Sequence, residues 1–214
     1  MNILVVGANG QIGKHLVDKI QRTNEHTAIA MVRNEDQISQ FESQGAKTAL
    51  VDLEGSIDDI VGAAKGADAV VFTAGSGGHT GADKTMMVDL DGAIKTMEAA
   101  KQAGVKRFVI VSAIGVHHRD KWMGSVPYYS AAKHYADVWL RESGLDYTII
   151  RPGGLTNDEG TRKVQVAVDL ERGSIPREDV AATILATIEN DHTIGKEFDM
   201  IAGDTPIKDA LNTL

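Results

Sequence analysis

The chain has no cysteine, which excludes disulfides, thiolate nucleophiles and thiolate metal sites and fits a reducing compartment. Nor has it an excess of positive charge. Its formal net charge of −8 argues against nucleic acid or an anionic membrane as the main partner, while leaving local basic sites open. No apolar run approaches the length of a membrane span, no charged leader precedes the first apolar stretch, and there is no repeat, low-complexity tract or linker. The expectation is a soluble cytoplasmic protein. What is present is 214 residues, 43% of them apolar, enough for one domain with a modest appendage rather than two domains.

The chain opens MNILVVGANGQIG. Asn2 to Val6 is a short apolar run ending at glycine and reads as a buried strand. Gln11 to Arg22 carries Ile12, Leu16, Val17 and Ile20 on one helical face. Between them stand Gly7, Gly10 and Gly13. Gly7 lets the chain turn off the strand, Gly10 leaves the backbone N–H groups open to a pyrophosphate, and Gly13 lets the helix approach the sheet. A helix N-terminus favours anions through its free donors and its macrodipole. The alternative is a plain turn with packing glycines. The strand before it and the helix after it favour a dinucleotide site.

GANGQIG resembles the GxxGxxG turn of the short-chain dehydrogenase/reductase superfamily, particularly its atypical and extended branches. The resemblance returns in VDLDGAIKTMEAAKQAGVKRFVIVSAIG, in LDYTIIRPGGL, in IPREDVA and in GDTPIKDAL, and so covers nearly the whole chain. It implies cofactor contacts from Gly7, Asn9, Gly10, Gln11 and Ile12. It also implies that Asp52 and Leu53, after a third strand Lys47 to Val51, lie against the adenine. Asp52 could equally cap the next helix, Ser56 to Lys65. Pro152, Gly153 and Leu155 belong to a segment that closes over the nicotinamide in that superfamily, although a proline-glycine turn ending a buried strand explains the same residues.

Cofactor choice is read from Arg33, which follows a second strand, Thr27 to Val32. An acidic residue there accepts from the ribose hydroxyls of NAD, whereas an arginine pairs with the 2′-phosphate of NADP. NADP is therefore expected over NAD. The competing reading is a solvated arginine ahead of Glu35 and Asp36. After a fourth strand, Asp68 to Thr73, the small residues Thr73, Ala74 and Gly75 let a ribose approach the backbone. Lys84, at the head of a long helix running to Ala103, receives no assignment.

Chemistry centres on the helix PYYSAAKHYADVWL. Tyr129 and Lys133 are four apart and share one face. Carbonyl reduction needs a proton donor beside the hydride acceptor, and a neighbouring ammonium favours the phenolate of a tyrosine. By resemblance Tyr129 is the proton donor and Lys133 the ribose anchor; Tyr128 lies on another face. The superfamily's third member is a serine after the fifth strand, Arg107 to Ser112. Ser112 is present, but the catalytic position aligns with Ala113. One lost donor costs on the order of a hundredfold without abolishing hydride transfer.

The substrate pocket is expected between the irregular loop Ile114 to Val126, Tyr128 and the Leu155 loop, with Trp122 and Met123 as contact surface or as packing. His79, His117 and His118 have no carboxylate or histidine at ligand spacing, so they read as loop histidines in solvent and no metal is expected. A sixth strand, Asp146 to Arg151, is followed by a strand Val164 to Asp169, a helix over 174–190, a strand Glu197 to Ile201 and a helix Pro206 to Leu214. The whole predicts a single-domain doubly wound Rossmann fold over 1–214, α/β with a mainly parallel sheet, in which 152–214 supply most of a small substrate-side appendage. The expected function is NAD(P)H-dependent reduction of a small carbonyl, quinone or conjugated substrate. A non-catalytic NADP-binding sensor and a sugar-nucleotide epimerase or dehydratase are the alternatives, the last lessened by the short C-terminal part. The expected partner is a small molecule, with a homodimer left open.

Overall fold

The computed structural model describes all of residues 1–214. The first half alternates strand and helix: β1 (Asn2–Val6), α1 (Gln11–Arg22), β2 (Thr27–Val32), α2 (Ile38–Glu42), β3 (Lys47–Leu50), α3 (Ile57–Ala64) and β4 (Ala69–Phe72). A short turn of helix, α4 (Ala82–Lys84), runs into a π-helical stretch, Thr85–Asp91, and on into α5 (Gly92–Gln102). Then come β5 (Arg107–Val111), α6 (Pro127–Glu142), β6 (Asp146–Pro152), β7 (Gly154–Thr156), β8 (Lys163–Ala167), β9 (Ser174–Pro176), α7 (Arg177–Ile188), β10 (Lys196–Ala202), β11 (Thr205–Pro206) and α8 (Ile207–Leu211).

Nine strands form one sheet in the order β3-β2-β1-β4-β5-β6-β10-β8-β11. Every pairing from β3 through β10 is parallel, and β8 and β11 close the edge antiparallel. Successive residues of β1 point to opposite faces, so Ile3 and Val5 join one core while Leu4 and Val6 join the other. The first core takes Leu16, Val17 and Ile20 of α1 and Val180, Ile184 and Ile188 of α7. The second takes Ile60 of α3, Met97 of α5 and Leu140 of α6. Helices cover both faces, which is why the central strands read as unbroken apolar runs.

The expected α/β fold with its mainly parallel sheet is therefore present. Strand order reverses direction between β1 and β4, and in such sheets a crevice opens at the carboxyl ends of the strands at that point. No helix is long and apolar enough to cross a membrane.

Several boundaries differ from the expectations. The helix expected from Lys84 to Ala103 contains the π-helical stretch, and the one expected over 174–190 begins only at Arg177, because Ser174–Pro176 pairs in parallel with Gly154–Thr156 as a separate two-stranded sheet. The turn expected at 152–155 is thus two strand segments meeting at Gly153. The last helix covers Ile207–Leu211 rather than 206–214, since Thr205–Pro206 pairs with β8.

Candidate functional site

The crevice begins at the turn after β1. Gly7 has φ +84°, and a Cβ there would lie 2.6 Å from the backbone of Ala74. Gly13 is pressed harder still, since its Cβ would sit 2.3 Å from the carbonyl oxygen of Gly7. Gly10 is different: its nearest neighbour is that same oxygen at 3.1 Å, and the residue itself is exposed. It is the N-cap of α1, with no side-chain cap and no acidic residue in the first turn. The first amides of α1 are left without a protein partner, and a methyl group at Gly10 would stand over them. This cradle fits a diphosphate, with Asn9, Gln11 and Ile12 around it.

Opposite, Thr73 Oγ donates to the carbonyl of Val6 at 3.0 Å, which locks the end of β4 to the end of β1. Gly75 lies against Asp89, whose Oδ2 accepts from the Ser76 amide at 2.9 Å. Arg33 stands exposed at the end of β2 and pairs with no acidic side chain, so the neighbouring Glu35 and Asp36 do not consume its charge. Asp52 is exposed and accepts from the amide of Glu54 at 3.0 Å. It does not cap α3, because Ser56 does so by accepting from Asp58. Lys84 pairs with both oxygens of Glu54 at 2.8 Å, a solvent-exposed bridge in which that carboxylate raises the lysine pKa despite some desolvation. Leu53 is half-buried against Gly92.

Further along, α6 places Tyr129 and Lys133 one turn apart, with the ammonium 5.8 Å from the centre of the phenol ring. Lys133 is buried. Its Nζ lies 3.2 Å from Asp89 Oδ1 and donates to the Val111 carbonyl at 3.3 Å. Burial alone would lower its pKa, but Asp89 and Tyr129 outweigh it and the net shift is upward, so the lysine stays charged. Tyr129 lines a cavity of about 280 Å³ together with Ser112, Ala113, Pro152, Gly153 and Leu155. Residues singled out in three separate stretches of sequence thus share one wall. Tyr128 does not: it is exposed and lines neither this cavity nor the neighbouring one, because it precedes Tyr129 by one position and points about 100° away around the helix.

Ser112 is 4% exposed, and its hydroxyl donates to Asp137 Oδ2 at 2.9 Å. Burial pushes the Asp137 carboxyl up to about 7, against the opposing pull of that hydrogen bond and of Arg151. When Asp137 carries a proton the bond can reverse, and the Ser112 hydroxyl is then free to donate into the cavity. Ala113 offers no hydroxyl there.

A family profile described as NAD(P)H-binding matches residues 7–191. The chain belongs to this family of atypical short-chain dehydrogenases/reductases. This NAD(P)H-binding protein is 53% identical over 214 residues to an uncharacterized sugar epimerase, YhfK, of Bacillus subtilis, each chain being covered in full. A solved structure from Bacillus halodurans, provisionally named an NAD-dependent epimerase/dehydratase, superposes with a TM-score of 0.94 at 44% identity and full coverage of both chains. The oxidoreductase ylbE from Lactococcus lactis superposes with a TM-score of 0.91 at 36% identity, covering 100% of this chain and 96% of that one.

The NAD(P)H-binding protein also assembles residues that sequence reasoning missed. His117 is not a solvated loop histidine. Its ring nitrogens are buried, 3.6 Å from Asp169 and 3.8 Å from Asp199, and burial together with Arg151 lowers its pKa. His118 lies 3.4 Å from Asp169. Asp169 follows β8, so the spacing rule that excluded a nearby carboxylate failed because the partner comes from another edge of the sheet. Both oxygens of Asp169 already accept from Lys121, at 2.9 and 3.0 Å. His79 is exposed, as expected. Trp122 packs, donating its indole N–H to Val116 at 2.9 Å, and lines a neighbouring cavity of about 640 Å³ rather than the one that holds Tyr129, whereas Met123 lines both. Asp89, Asp137 and the arginines beside the smaller cavity had no local signal at all.

Proposed function

We propose that this chain is a reductase that uses NADPH to reduce a small carbonyl, quinone or conjugated substrate, with Tyr129 as the proton donor. The observation that carries the reading is the placement of Tyr129 on the wall of a cavity with charged, buried Lys133 one turn behind it. Bound nicotinamide supplies a hydride. The Tyr129 hydroxyl would give its proton to the oxygen of a carbonyl reduced there from C=O to CH–OH, and solvent would return a proton to the phenolate. Lys133, held by Asp89 and Val111, keeps positive charge beside the phenol and has a third N–H with which to hold a ribose hydroxyl. Gly7, Gly10 and the first turn of α1 would hold the diphosphate, Asp52 and Leu53 the adenine, Thr73 to Gly75 a ribose, and Pro152, Gly153 and Leu155 the nicotinamide. Unpaired Arg33 supports NADP over NAD.

Of the three relatives named above, one carries the name oxidoreductase and two carry epimerase names. The epimerase reading is less well supported, because α7, α8 and the edge strands after Pro152 mainly cover the sheet and leave little chain to enclose a nucleotide-sugar. A sensor that binds NADP without turnover has one observation in its favour: Ala113 lines the cavity and Ser112 points its proton at Asp137. NADPH oxidation measured across quinones, flavins, aldehydes and ketones separates the two. Tyr129→Phe is expected to slow turnover roughly a hundredfold while leaving NADPH affinity unchanged. Unaltered turnover removes Tyr129 from the mechanism, and tight NADPH binding with no turnover on any substrate leaves the sensor.

A further inference from the structure

The protein as a whole is acidic, at −8, yet the cavity beside Tyr129 is lined by Lys121, Arg172 and Arg177 and by no carboxylate. The three cations are not equivalent. Lys121 is neutralised by Asp169. Arg172, in the loop between β8 and β9, donates to the backbone carbonyl of Lys121. Arg177, the first residue of α7, donates to the neutral side chain of Asn157 at 2.8 Å. Neither arginine forms an ion pair, in contrast to Arg22, Arg141 and Arg151, whose guanidinium groups meet carboxylates.

The two acidic residues that follow Arg177 in the sequence are turned to other work. Glu178, next to Arg177, accepts from Lys19 and from the Gly160 amide. Asp179 is buried and accepts from the amides of Thr161 and Arg162. Asp120 and Glu171 line the neighbouring cavity, on which Arg172 also borders, and not this one; neither forms an ion pair with Arg172. The positions are fixed by backbone: Leu155 pairs with Ile175 and Thr156 with Pro176, which sets Arg177 at the positive end of α7 beside the Leu155 wall. A guanidinium has five donors in a planar fork that matches a carboxylate or phosphate, and each of these two uses one donor on a neutral oxygen. Beyond the cations, the wall combines the apolar side chains of Ile114, Val116, Met123 and Leu155 with the uncharged hydroxyl residues Ser112, Tyr129 and Ser130.

We infer that the substrate is an anion: an apolar carbonyl compound bearing a carboxylate or phosphate that Arg172 and Arg177 grip while its body lies on Met123 and Leu155. This deepens the reductase reading and takes its cavity from it. The same chemistry could come from the cofactor's own diphosphate, and the test separates the two sources. Three acid and methyl-ester pairs serve as probes: 4-carboxybenzaldehyde, 4-acetylbenzoic acid and anthraquinone-2-carboxylic acid, each with its ester. Affinity is measured by calorimetry on the protein holding NADP+, and turnover by NADPH absorbance.

At least one acid should bind roughly tenfold to a hundred-and-fifty-fold more tightly than its ester, as expected for a charge-assisted contact. Arg172→Met and Arg177→Met should each shrink that ratio toward one while leaving the ester unchanged. If no acid outbinds its ester in the parent protein, or if the preference survives in the double variant, the inference is overturned. If Arg177→Met weakens NADP+ and spares the acid-to-ester ratio, Arg177 serves the cofactor and its share of the inference is overturned. Preferred binding of acids with no NADPH oxidation would sustain this inference and defeat the reductase reading. Equal reduction of acids and esters, with equal affinities, would do the reverse.

Discussion

The two sides of the crevice are built of different material. On the side of β1 and α1 the surface offered to a ligand is backbone: amides at an uncapped helix start, framed by glycines whose missing Cβ atoms leave the space. On the side of α6, β7 and α7 it is long side chains, Tyr129, Met123, Arg172 and Arg177, reaching in from loops and helix ends. A backbone site is specific for what all dinucleotides share. A side-chain site can be rewritten one residue at a time without disturbing the sheet, which is how one fold hosts many reactions.

The sharpest break of this contrast comes from substituting within the glycine turn. Gly13→Ala drives a methyl into the Gly7 carbonyl and the backbone of Ala8, neither of which can swing away. A loss of several kcal/mol of stability is expected, on the scale of the most damaging single changes. Gly10→Ala meets only one atom at 3.1 Å, so its melting temperature should stay within a few degrees of the parent while NADPH affinity falls at least tenfold. If Gly10→Ala binds NADPH normally, the cradle is not the diphosphate site.

That turn was legible because its pattern is local: a strand, three glycines and a helix follow one another between Asn2 and Arg22. The Tyr129 and Lys133 pair was legible for the same reason, both falling on one turn of one helix. What was missed comes together only in three dimensions. Asp89 reaches Lys133 from 44 positions away, and Asp169 reaches His117 from another strand. Three residues, Ser174–Pro176, are too few for a periodicity, so β9 could be found only by its pairing with β7. The π-helical stretch buries Thr85 and Asp89 and exposes Met86 and Met87, the reverse of an apolar pattern, so hydrophobic periodicity could not locate it.

Asp137 tests whether the side-chain half is held under electrostatic cost. In the folded protein its carboxyl is at about 7, while the ordinary value is 3.8. Between those values the unfolded chain ionises and the folded one does not, so stability contributed by the protonated group is lost as pH rises from about 4 to about 7, then levels off. The loss is on the order of 4 kcal/mol at most. Asp137→Asn does not titrate, so its melting temperature relative to the parent should rise between pH 4.5 and pH 8. A constant difference would mean that Asp137 is ionised throughout.

Arg33 is the one place where a side chain is asked to specialise the backbone half. On the proposed NADPH reading, Arg33→Asp would remove a charge-assisted contact of about 1.5 to 3 kcal/mol and add repulsion, so NADPH preference should fall by roughly ten to a hundred-and-fifty-fold and NADH be favoured. Affinities measured by fluorescence for both nucleotides check it. Equal affinities in the parent would remove Arg33 from cofactor choice.

The smallest expected effect lies where the halves meet. Lys19 of α1 donates to Glu178 of α7 at 2.9 Å, and Glu178 also accepts from the Gly160 amide. The lysine bond first, and that amide second, hold the Glu178 carboxyl down to about 2. A lowered carboxyl stabilises the fold fully above its ordinary value near 4.5 and loses that contribution as pH falls toward 2. Its side chain is 35% exposed, so solvent screening limits the pair to about 1 kcal/mol or less. Glu178→Gln should therefore melt slightly below the parent at pH 7, with the gap closing below pH 4.5 and narrowing in high salt. The next residue back is Arg177. If Glu178→Gln changes the acid-to-ester preference of the cavity as well as the melting temperature, the bridge between the halves also sets the aim of that arginine, and the two sides are coupled through α7 rather than independent.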